Sequence, residues 1–597
     1  MPNKTDVPAE GPAFQEICWP WLARVKAWHV WLVYALLIGG LGASRIGVMK
    51  LYGPDDYMRL LEVRDLLAGQ GWFDLRQYRM NPPIGADMHW SRLVDLPLAF
   101  FIVLLKPLFG QPLAEGAAVI FVPLLELGCA MALSAALLKK LGTSQVLQVT
   151  GATLVAFFPM LIFNFSPGRI DHHGWQAICL LAAALCLVRI NSPRAAFVGG
   201  ALAAVQLAIS LEGLPLVATL AALYGLVFVL WAIPAVVWFL SGLALFSLVL
   251  FATAREPGAY QVLHCDVVSW PHLVAFAISA LLAGFAVRLF REKGPIWRAA
   301  GLLPLPLVAM PLVYGVLGVC AINPFADLDP FLKQEWYMQI REGMPIYAQG
   351  VKAVTTVFWV GGLIIAGYVS IVRGDEDRDR RRAWMLLFLL AIVAWILSLV
   401  VYRSTIFAQV LAIPFAAVLL GIYLPRARAI SSPLLRIVLT IVCGVAILPL
   451  VTSELVAKVG NQPDDAPPPQ VANGRNSCVI KDLGKLKPSH LFTTLSLGAS
   501  IIASTHHTVV AGNYHRNGEK IREVLLAFEG NPANAERLVK ANHADYVVIC
   551  ARLPGGKGET ARRRDSLINN LQRGDVPDWL QPVNGLGHSL LRVYRVR

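Results

Sequence analysis

The sequence is short of charge. Only 15% of its 597 residues are Asp, Glu, Lys or Arg, against about 25% in an ordinary soluble chain. That shortage excludes a string of soluble domains. It also excludes a disordered chain, which stays open through high charge and low hydrophobicity. Cysteine is scarce as well. The nine Cys contain no CxxC pair, and so few in so long a chain exclude a small disulfide scaffold. There is no collagen-like glycine period, and no internal repeat of the kind that marks many transporters. What is abundant is hydrophobic surface: 56% of residues are hydrophobic, and the mean hydropathy is +0.58. These proportions point to a polytopic membrane protein. The net charge is +14. Lys and Arg gathered in cytoplasmic loops explain it, so no nucleic-acid partner is expected.

A spanning helix needs about 20 mostly apolar residues. Candidate spans are 28–47, 114–138, 145–163, 174–188, 196–211, 214–231, 234–253, 271–287, 299–320, 353–372, 383–401, 405–424 and 435–452. The run 93–110 is interrupted by Pro97 and Pro107, and it is placed as a helix packed at the outer surface. With the N-terminus inside, the cytoplasmic loops hold Lys139 and Lys140, Arg189 and Arg194, the Arg288–Arg298 group, the Arg373–Arg382 group, and Arg426 to Arg436. Every strong basic cluster in a short loop then falls on one side. Segment 1–27 carries Glu10, Glu16, Arg24 and Lys26. It reads as an interfacial segment rather than a signal peptide, with a helix expected from Phe14 to Trp28.

The outer side receives loops 48–92 and 321–352 and everything beyond 453. Residues 454–476 read as a linker. Residues 477–597 read as a small α/β domain, with strands expected at 493–503 and 545–550 and helices at 517–528 and 532–542. Seven Cys lie in or near apolar segments and are expected to act as small hydrophobes. Cys478 and Cys550 could form a disulfide if the C-terminal part lies outside the cytoplasm. The expected architecture is an all-α polytopic membrane domain of about thirteen spans over 28–453, with a C-terminal extracytoplasmic α/β domain. It would sit in the cell (inner) membrane with a cytoplasmic N-terminus and a periplasmic or extracellular C-terminal domain.

The outer segments are dense in acids, His and Arg. The first loop holds Asp55, Asp56, Tyr57, Arg64, His89 and Arg92. A second cluster is Arg169-Ile170-Asp171-His172-His173, at the outer end of one span. Glu342 stands in the second long loop, and Arg403 at the outer start of a later helix. Each has a plainer reading. Asp55–Asp56 and Asp171–His173 could cap helices, Glu342 could be a solvated acid, and Arg403 an interface anchor. Glu126 lies inside a span and is expected to be a buried hydrogen-bonding partner. Taken together, carboxylates and a His from separate loops suit a divalent cation, Mn²⁺ or Mg²⁺. An Arg adds a phosphate contact, and a free carboxylate can act as general base. These are the parts for moving a sugar from a lipid-phosphate donor at a membrane surface.

The constellation resembles the single-subunit oligosaccharyltransferases of bacteria and archaea, within the GT-C glycosyltransferase superfamily. Asp55, Tyr57, Arg64 and Asp65 match the spacing of that family's first motif, and Asp171-His172-His173 matches the archaeal form of its second. Glu342 is the best match to its loop Glu. Arg403, in Arg403-Ser404-Thr405-Ile406-Phe407-Ala408, matches its diphosphate-contacting Arg. The resemblance covers residues 28–424. It implies that Asp55 and Glu342 are catalytic and that Asp55, Asp171 and His173 hold a metal. By the same resemblance Arg403 grips the donor phosphate; Arg169 is a second candidate donor phosphate-binding residue. Asp56, Tyr57, Arg64, His89, Arg92, His172, His515 and Arg516 are candidate donor or acceptor contacts. One departure stands out: the family's Trp-Trp-Asp-Tyr-Gly acceptor motif is absent, and the only Trp after residue 453 is Trp579. The expected activity is transfer of a sugar or oligosaccharide from a polyprenyl-(di)phosphate donor, with inversion, to a glycan, lipid or protein acceptor on the non-cytoplasmic face. The first alternative is a protein oligosaccharyltransferase with an atypical acceptor domain. Alternatives of another class are a membrane transporter or flippase and an envelope-assembly scaffold.

Overall fold

A computed structural model of the chain describes residues 24–46, 50–326, 328–374, 377–460, 478–551, 563–586 and 589–597. Most of the helix expected at Phe14–Trp28 and most of the linker lie outside these residues. Every apolar run expected to span is helical. In chain order the helices are α1 (Ala27–Ile46), α2 (Pro54–Leu67), α3 (Arg92–Phe109), α4 (Gln111–Lys140), α5 (Gln145–Val155), α6 (Pro159–Asn164), α7 (His173–Leu187) and α8 (Pro193–Ile209). There follow α9 (Leu214–Trp231), α10 (Ala235–Ala254), α11 (Trp270–Phe290), α12 (Pro295–Leu302), α13 (Pro304–Leu317), α14 (Pro330–Glu335), α15 (Val351–Gly374), α16 (Arg378–Val400), α17 (Thr405–Arg428), α18 (Pro433–Ile447) and α19 (Pro449–Val459).

Among the described residues, eight helices are long and apolar enough to cross a membrane, and α18–α19, bent by 100°, makes a ninth if counted as one span. The expected count of about thirteen is not established. Four more apolar helices, in α1, α5, α7 and α8, are shorter than a full span. Proline explains one shortfall: the run 145–163 breaks ahead of Pro159, because the residue before a proline is pushed out of helical geometry. The run 93–110 is helical through both of its prolines. It packs along α4 and is not among the helices apolar enough to span. Large apolar side chains such as Leu36, Leu41, Leu108, Met310 and Leu434 stand exposed around the helices, as a lipid-facing surface requires. The protein is a multi-pass membrane protein.

Two helices meet backbone to backbone. A Cβ on Gly200 would lie 2.0 Å from the Phe239 carbonyl oxygen, and one on Gly242 would lie 2.1 Å from that of Phe197. Small residues at these positions let α8 and α10 approach as membrane helices do.

The C-terminal domain is a five-stranded sheet with helices α20 (Leu495–Ser504), α21 (Gly518–Glu529), α22 (Pro532–Ala541) and α23 (Leu567–Arg573). Strands β3 (His490–Thr493), β4 (Thr508–Val509) and β5 (Tyr546–Cys550) run parallel, while β6 (Leu580–Pro582) and β7 (Leu591–Val596) are antiparallel. The first outer loop adds the small hairpin β1 (Arg76–Gln77) and β2 (Ala86–Asp87). The strand expected over 493–503 ends at Thr493 and gives way to α20. Ile501 and Ile502 read as strand formers, but the segment is helical, and Gly498 lets it pack closely: its Cβ position lies 2.4 Å from the Ala511 carbonyl oxygen. The helices at 517–528 and 532–542 and the strand at 545–550 are close to the observed α21, α22 and β5. Cys478 and Cys550 form a disulfide. Cys265 and Cys320 form another, so those two are not the inert small hydrophobes expected.

The domain docks on the segment between α2 and α3. Asn81 N–H donates to the Val509 carbonyl at 2.8 Å, and Val509 N–H donates to the Arg79 carbonyl at 2.9 Å. The Tyr514 hydroxyl donates to the Pro54 carbonyl at 3.2 Å, at the first residue of α2.

Candidate active site

Asp55 is the second residue of α2, after Gly53 and Pro54. A proline fits the first turn of a helix, where its missing N–H costs nothing. Asp56 turns back into the protein and is 0% exposed. Its carboxylate accepts from Gly53 N–H at 2.9 Å, from Ile170 N–H at 2.8 Å and from Arg169 at 3.0 Å. It thereby caps α2 and ties it to the segment before α7. Asp55 makes no hydrogen bond among the described residues and is left free. Burial, and then the nearby Asp171 and Glu342 carboxylates, push its carboxyl up to about 7 against the pull of Arg169.

Asp171, His172 and His173 each offer a ligand atom, and these atoms lie within 4.8 Å of one another. Asp171 accepts from Arg169 at 2.9 Å and from the His172 N–H at 2.7 Å, with the His172 ring 2.6 Å away. Burial acts to raise the Asp171 carboxyl, but His172, His173 and Arg169 hold it well below the usual carboxylate range. His173 Nδ1 is 3.4 Å from Gln176 Oε1. If Nδ1 donates there, Nε2 keeps a lone pair 3.6 Å from Asp171. Such a second contact fixes the tautomer of a ligating His. Arg169 spans Asp56 and Asp171, so its guanidinium orients carboxylates.

Glu342 sits on a single turn, Arg341–Gly343, held by Tyr402 N–H donating to the Met344 carbonyl at 3.1 Å. Its carboxylate is 4.0 Å from Arg403. Arg403 pairs more closely with Glu212. Sequence reading passed over Glu212; the signal was an acid in Ser210-Leu211-Glu212-Gly213 between two apolar runs. Asp55, Asp171, His172, His173, Glu342 and Arg403 thus converge at the N-terminal ends of α2, α7 and α17.

Other candidates fall elsewhere. The Tyr57 hydroxyl accepts from Leu51 N–H at 3.3 Å. Arg64 grips Glu115 at 2.7 Å and the Ala503 carbonyl at 2.6 Å, joining α4 to the C-terminal domain. Arg92 is buried on Asp95 and on the Glu62 and Asp74 carbonyls. His89, His515 and Arg516 meet around Asp266, a residue missed from sequence. Arg516 reaches Asp266 through two nitrogens at 2.8 and 2.9 Å, His515 reaches it at 2.8 Å, and the His89 and His515 rings are 4.7 Å apart. Glu126 is 1% exposed, and neither carboxylate oxygen has a hydrogen-bond partner. The expectation of a hydrogen-bonding role is corrected: it packs against Gly174.

A long apolar cavity of about 1160 Å³ opens beside this cluster, lined by α9, α10, α11 and α13 from Leu214 to Ile322. Leu214 is two residues beyond Glu212, so the cavity begins next to the Arg403 pair.

Helices carrying acids and His at their ends, under an α/β domain, make a fold shared with solved oligosaccharyltransferases. The chain matches the archaeal oligosaccharyltransferase AglB of Archaeoglobus fulgidus in complex with an inhibitory peptide and a dolichol-phosphate, with a TM-score of 0.59 and 14% identity over 88% of this chain and 70% of that one. It matches the same organism's oligosaccharyltransferase tethered to an acceptor peptide with a TM-score of 0.61 and 13% identity, over 88% and 69%. The complex of that enzyme with Zn and sulfate gives a TM-score of 0.54 and 14% identity, over 86% and 67%. No protein-family model matches the chain, and no curated protein does.

Proposed function

We propose that the chain is a membrane glycosyltransferase that moves a sugar or oligosaccharide from a polyprenyl-(di)phosphate donor to an acceptor on the non-cytoplasmic face. The observation that carries this reading is the convergence of Asp55, Asp171, His173, Glu342 and Arg403, with the Arg403 partner Glu212 two residues from the start of an apolar cavity. The fold neighbours support it, since they are oligosaccharyltransferases crystallised with a dolichol-phosphate, an acceptor peptide, and Zn with sulfate.

The residues assign themselves to steps. The donor tail lies along α9, α11 and α13, which sets its phosphate next to Arg403. Arg403 takes the phosphate oxygens with a planar fork that Lys cannot copy. The acceptor hydroxyl or amide attacks the anomeric carbon opposite the leaving phosphate, which inverts that centre. Asp55 takes the proton. Glu342 reaches the site from a separate loop and closes it from the outside. Two carboxylates and an imidazole fit a hard or borderline divalent cation. Bound by Asp55, Asp171 and His173, Mn²⁺ or Mg²⁺ would supply positive charge to the acid cluster and to the departing phosphate. The topology follows from the basic loops: these outer residues face the periplasm or cell exterior, and the N-terminus faces the cytoplasm.

The test is glycan and lipid mass spectrometry on a deletion strain carrying wild type, Asp55→Ala, or Asp171→Ala with His173→Ala, at equal protein levels. The expected result is loss of one glycosylated species in both variants while its polyprenyl-linked donor accumulates. Full rescue by both variants refutes the reading.

A further inference from the structure

A second cavity, of about 240 Å³, lies further along α10 than the donor cavity, toward the C-terminal end of that helix, and its two ends differ in chemistry. The deep end is apolar, built from Leu207 and Ile209 of α8 and Leu250 and Phe251 of α10. It lies outward of the close α8–α10 contact at Gly200 and Gly242. The outer end is polar and carries both signs of charge: His89, His264, Asp266, Glu256, Arg255 and Arg516. One polar group sits in the apolar half. Ser247 is 4% exposed, its hydroxyl has no hydrogen-bond partner, and it lines the cavity. A buried hydroxyl left unpaired costs about 1–3 kcal/mol, so a ligand atom in reach explains it.

The cavity adjoins the reacting groups. Ser210, in its wall, accepts from the Glu212 N–H at 3.4 Å, and Glu212 pairs with Arg403. Trp90, also in its wall, packs edge-on against Tyr514 at 5.6 Å, and Tyr514 donates to Pro54, the neighbour of Asp55. The polar mouth is rigid. Asp266 is clamped by Arg516 and His515, and the disulfide Cys265–Cys320 anchors its loop.

From this we infer that the acceptor is a membrane lipid. Its hydroxyl-bearing headgroup lies among His89, His264, Glu256 and Asp266, and its chain lies against Leu207 and Ser247, where α8 and α10 part beyond their close contact. The inference rests on the glycosyltransferase reading and names its acceptor class. A soluble glycan or an extended peptide has no use for an apolar floor inside the membrane domain. Mixed acids, His and Arg suit a polyhydroxylated headgroup, which both accepts and donates hydrogen bonds. In the transfer, the bond from the anomeric carbon to the donor phosphate oxygen breaks, and the bond to the headgroup oxygen forms. The hydroxyl proton goes to Asp55, and the polyprenyl (di)phosphate departs with the bonding pair. Donor and acceptor chains thus occupy separate cavities at successive levels along α10.

The test has two arms. In cells lacking the chromosomal copy, membrane lipids are compared after rescue by wild type, Asp55→Asn, Ser247→Trp, and His264→Ala with Glu256→Gln. The expected result is a lipid heavier by a glycosyl unit in wild type. It is absent in Asp55→Asn and at least tenfold lower in both cavity variants. In the second arm, proteoliposomes carry the purified donor and the chloroform–methanol lipid extract of the deletion strain. Ser247→Trp and the His264/Glu256 variant raise KM for the extract at unchanged donor KM; Ala221→Trp, in the larger cavity, raises donor KM instead. A water-soluble or protein-linked product, made at wild-type level by the cavity variants, overturns the lipid acceptor and leaves the glycosyltransferase reading standing. No glycoconjugate difference between wild type and Asp55→Asn overturns both.

Discussion

Gly174 is the position where the Asp171–His173 end of α7 is most exposed to a packing test. A Cβ there would lie 1.8 Å from Glu126 Oε2, 3.1 Å from its Cδ and 3.2 Å from a ring carbon of Phe165. In Gly174→Ala the carboxylate must retreat until the gap reaches about 3.5 Å, and Glu126 is 1% exposed with little room to go. Overpacking of this kind costs about 1–3 kcal/mol, or about 5- to 150-fold in an equilibrium constant. The strain lands one residue after His173, so stability and cation affinity fall together. Glu126→Ala forfeits no hydrogen bond, because Glu126 makes none; its effect is small, and in combination with Gly174→Ala it removes the clash. Thermal midpoint and Mn²⁺ affinity are measured for wild type, the two single variants and the double variant. The expected coupling is about 1–3 kcal/mol in the rescuing direction, well above the scatter of independent sites. Additive effects, or a harmless Gly174→Ala, refute the packing argument.

Arg403→Ala strips Glu212 of its ion-pair partner and removes the phosphate contact; donor KM rises about 10- to 150-fold, the worth of a charged hydrogen bond, and Arg403→Lys recovers little of it. Unchanged donor KM sinks that assignment. The Asp55 carboxyl, raised to about 7 by burial, Asp171 and Glu342, is protonated at pH 5 and ionised at pH 8. Protons therefore compete with the cation, and Mn²⁺ raises the thermal midpoint more at pH 8 than at pH 5; equal shifts count against Asp55 as a ligand. Burial works to raise the Asp266 carboxyl, but His515 and Arg516 hold it well below the usual carboxylate range. A depressed carboxyl contributes stability above its unfolded value, near 4, and loses it as pH falls further. Limited proteolysis should therefore find the C-terminal domain loosened at pH 3 but not at pH 6, with Asp266→Asn loosened at both. Both disulfides, Cys265–Cys320 and Cys478–Cys550, lie outside by the proposed topology, so a membrane-impermeant maleimide labels these Cys in intact cells only after reduction. Labelling without reduction contradicts the pairing.

What sequence made legible follows the range of the interactions involved. Apolar runs and basic loops are local, and each expected span proved helical. The break at Pro159 was visible as a residue, but its effect on span length depends on how the neighbouring helices cover it. The Asp55, Asp171 and Arg403 segments stood out because acids, His and Arg are costly beside a membrane and need a reason. Asp56 and Arg169 looked equally reactive, yet their charges are spent on each other and on backbone N–H groups. Only tertiary contact, across 113 residues, separates Asp56 from Asp55. Glu212 and Asp266 carried no motif and emerged only through their Arg partners. The segment after Thr493 is helical, and Gly498 lets it press against a backbone carbonyl that lies 2.4 Å from its Cβ position, a contact no local pattern encodes.

The same distinction explains why the donor half of the site is easier to name than the acceptor half. Donor recognition needs one fixed chemistry, a phosphate with a chain, and it is met by a few residues of strong character at helix ends. Acceptor recognition is spread over the first loop, the Asp266 loop, α8, α10 and the C-terminal domain, joined by contacts such as His515–Asp266 and Tyr514–Pro54. The domain does not need a reading motif of its own for this. By holding α2 through Pro54 and the Asp266 loop through Arg516, it fixes the distance between the proposed base Asp55 and the mouth of the inferred acceptor cavity. A change in acceptor can then come from the cavity wall alone, with Asp55, Asp171 and Arg403 left in place.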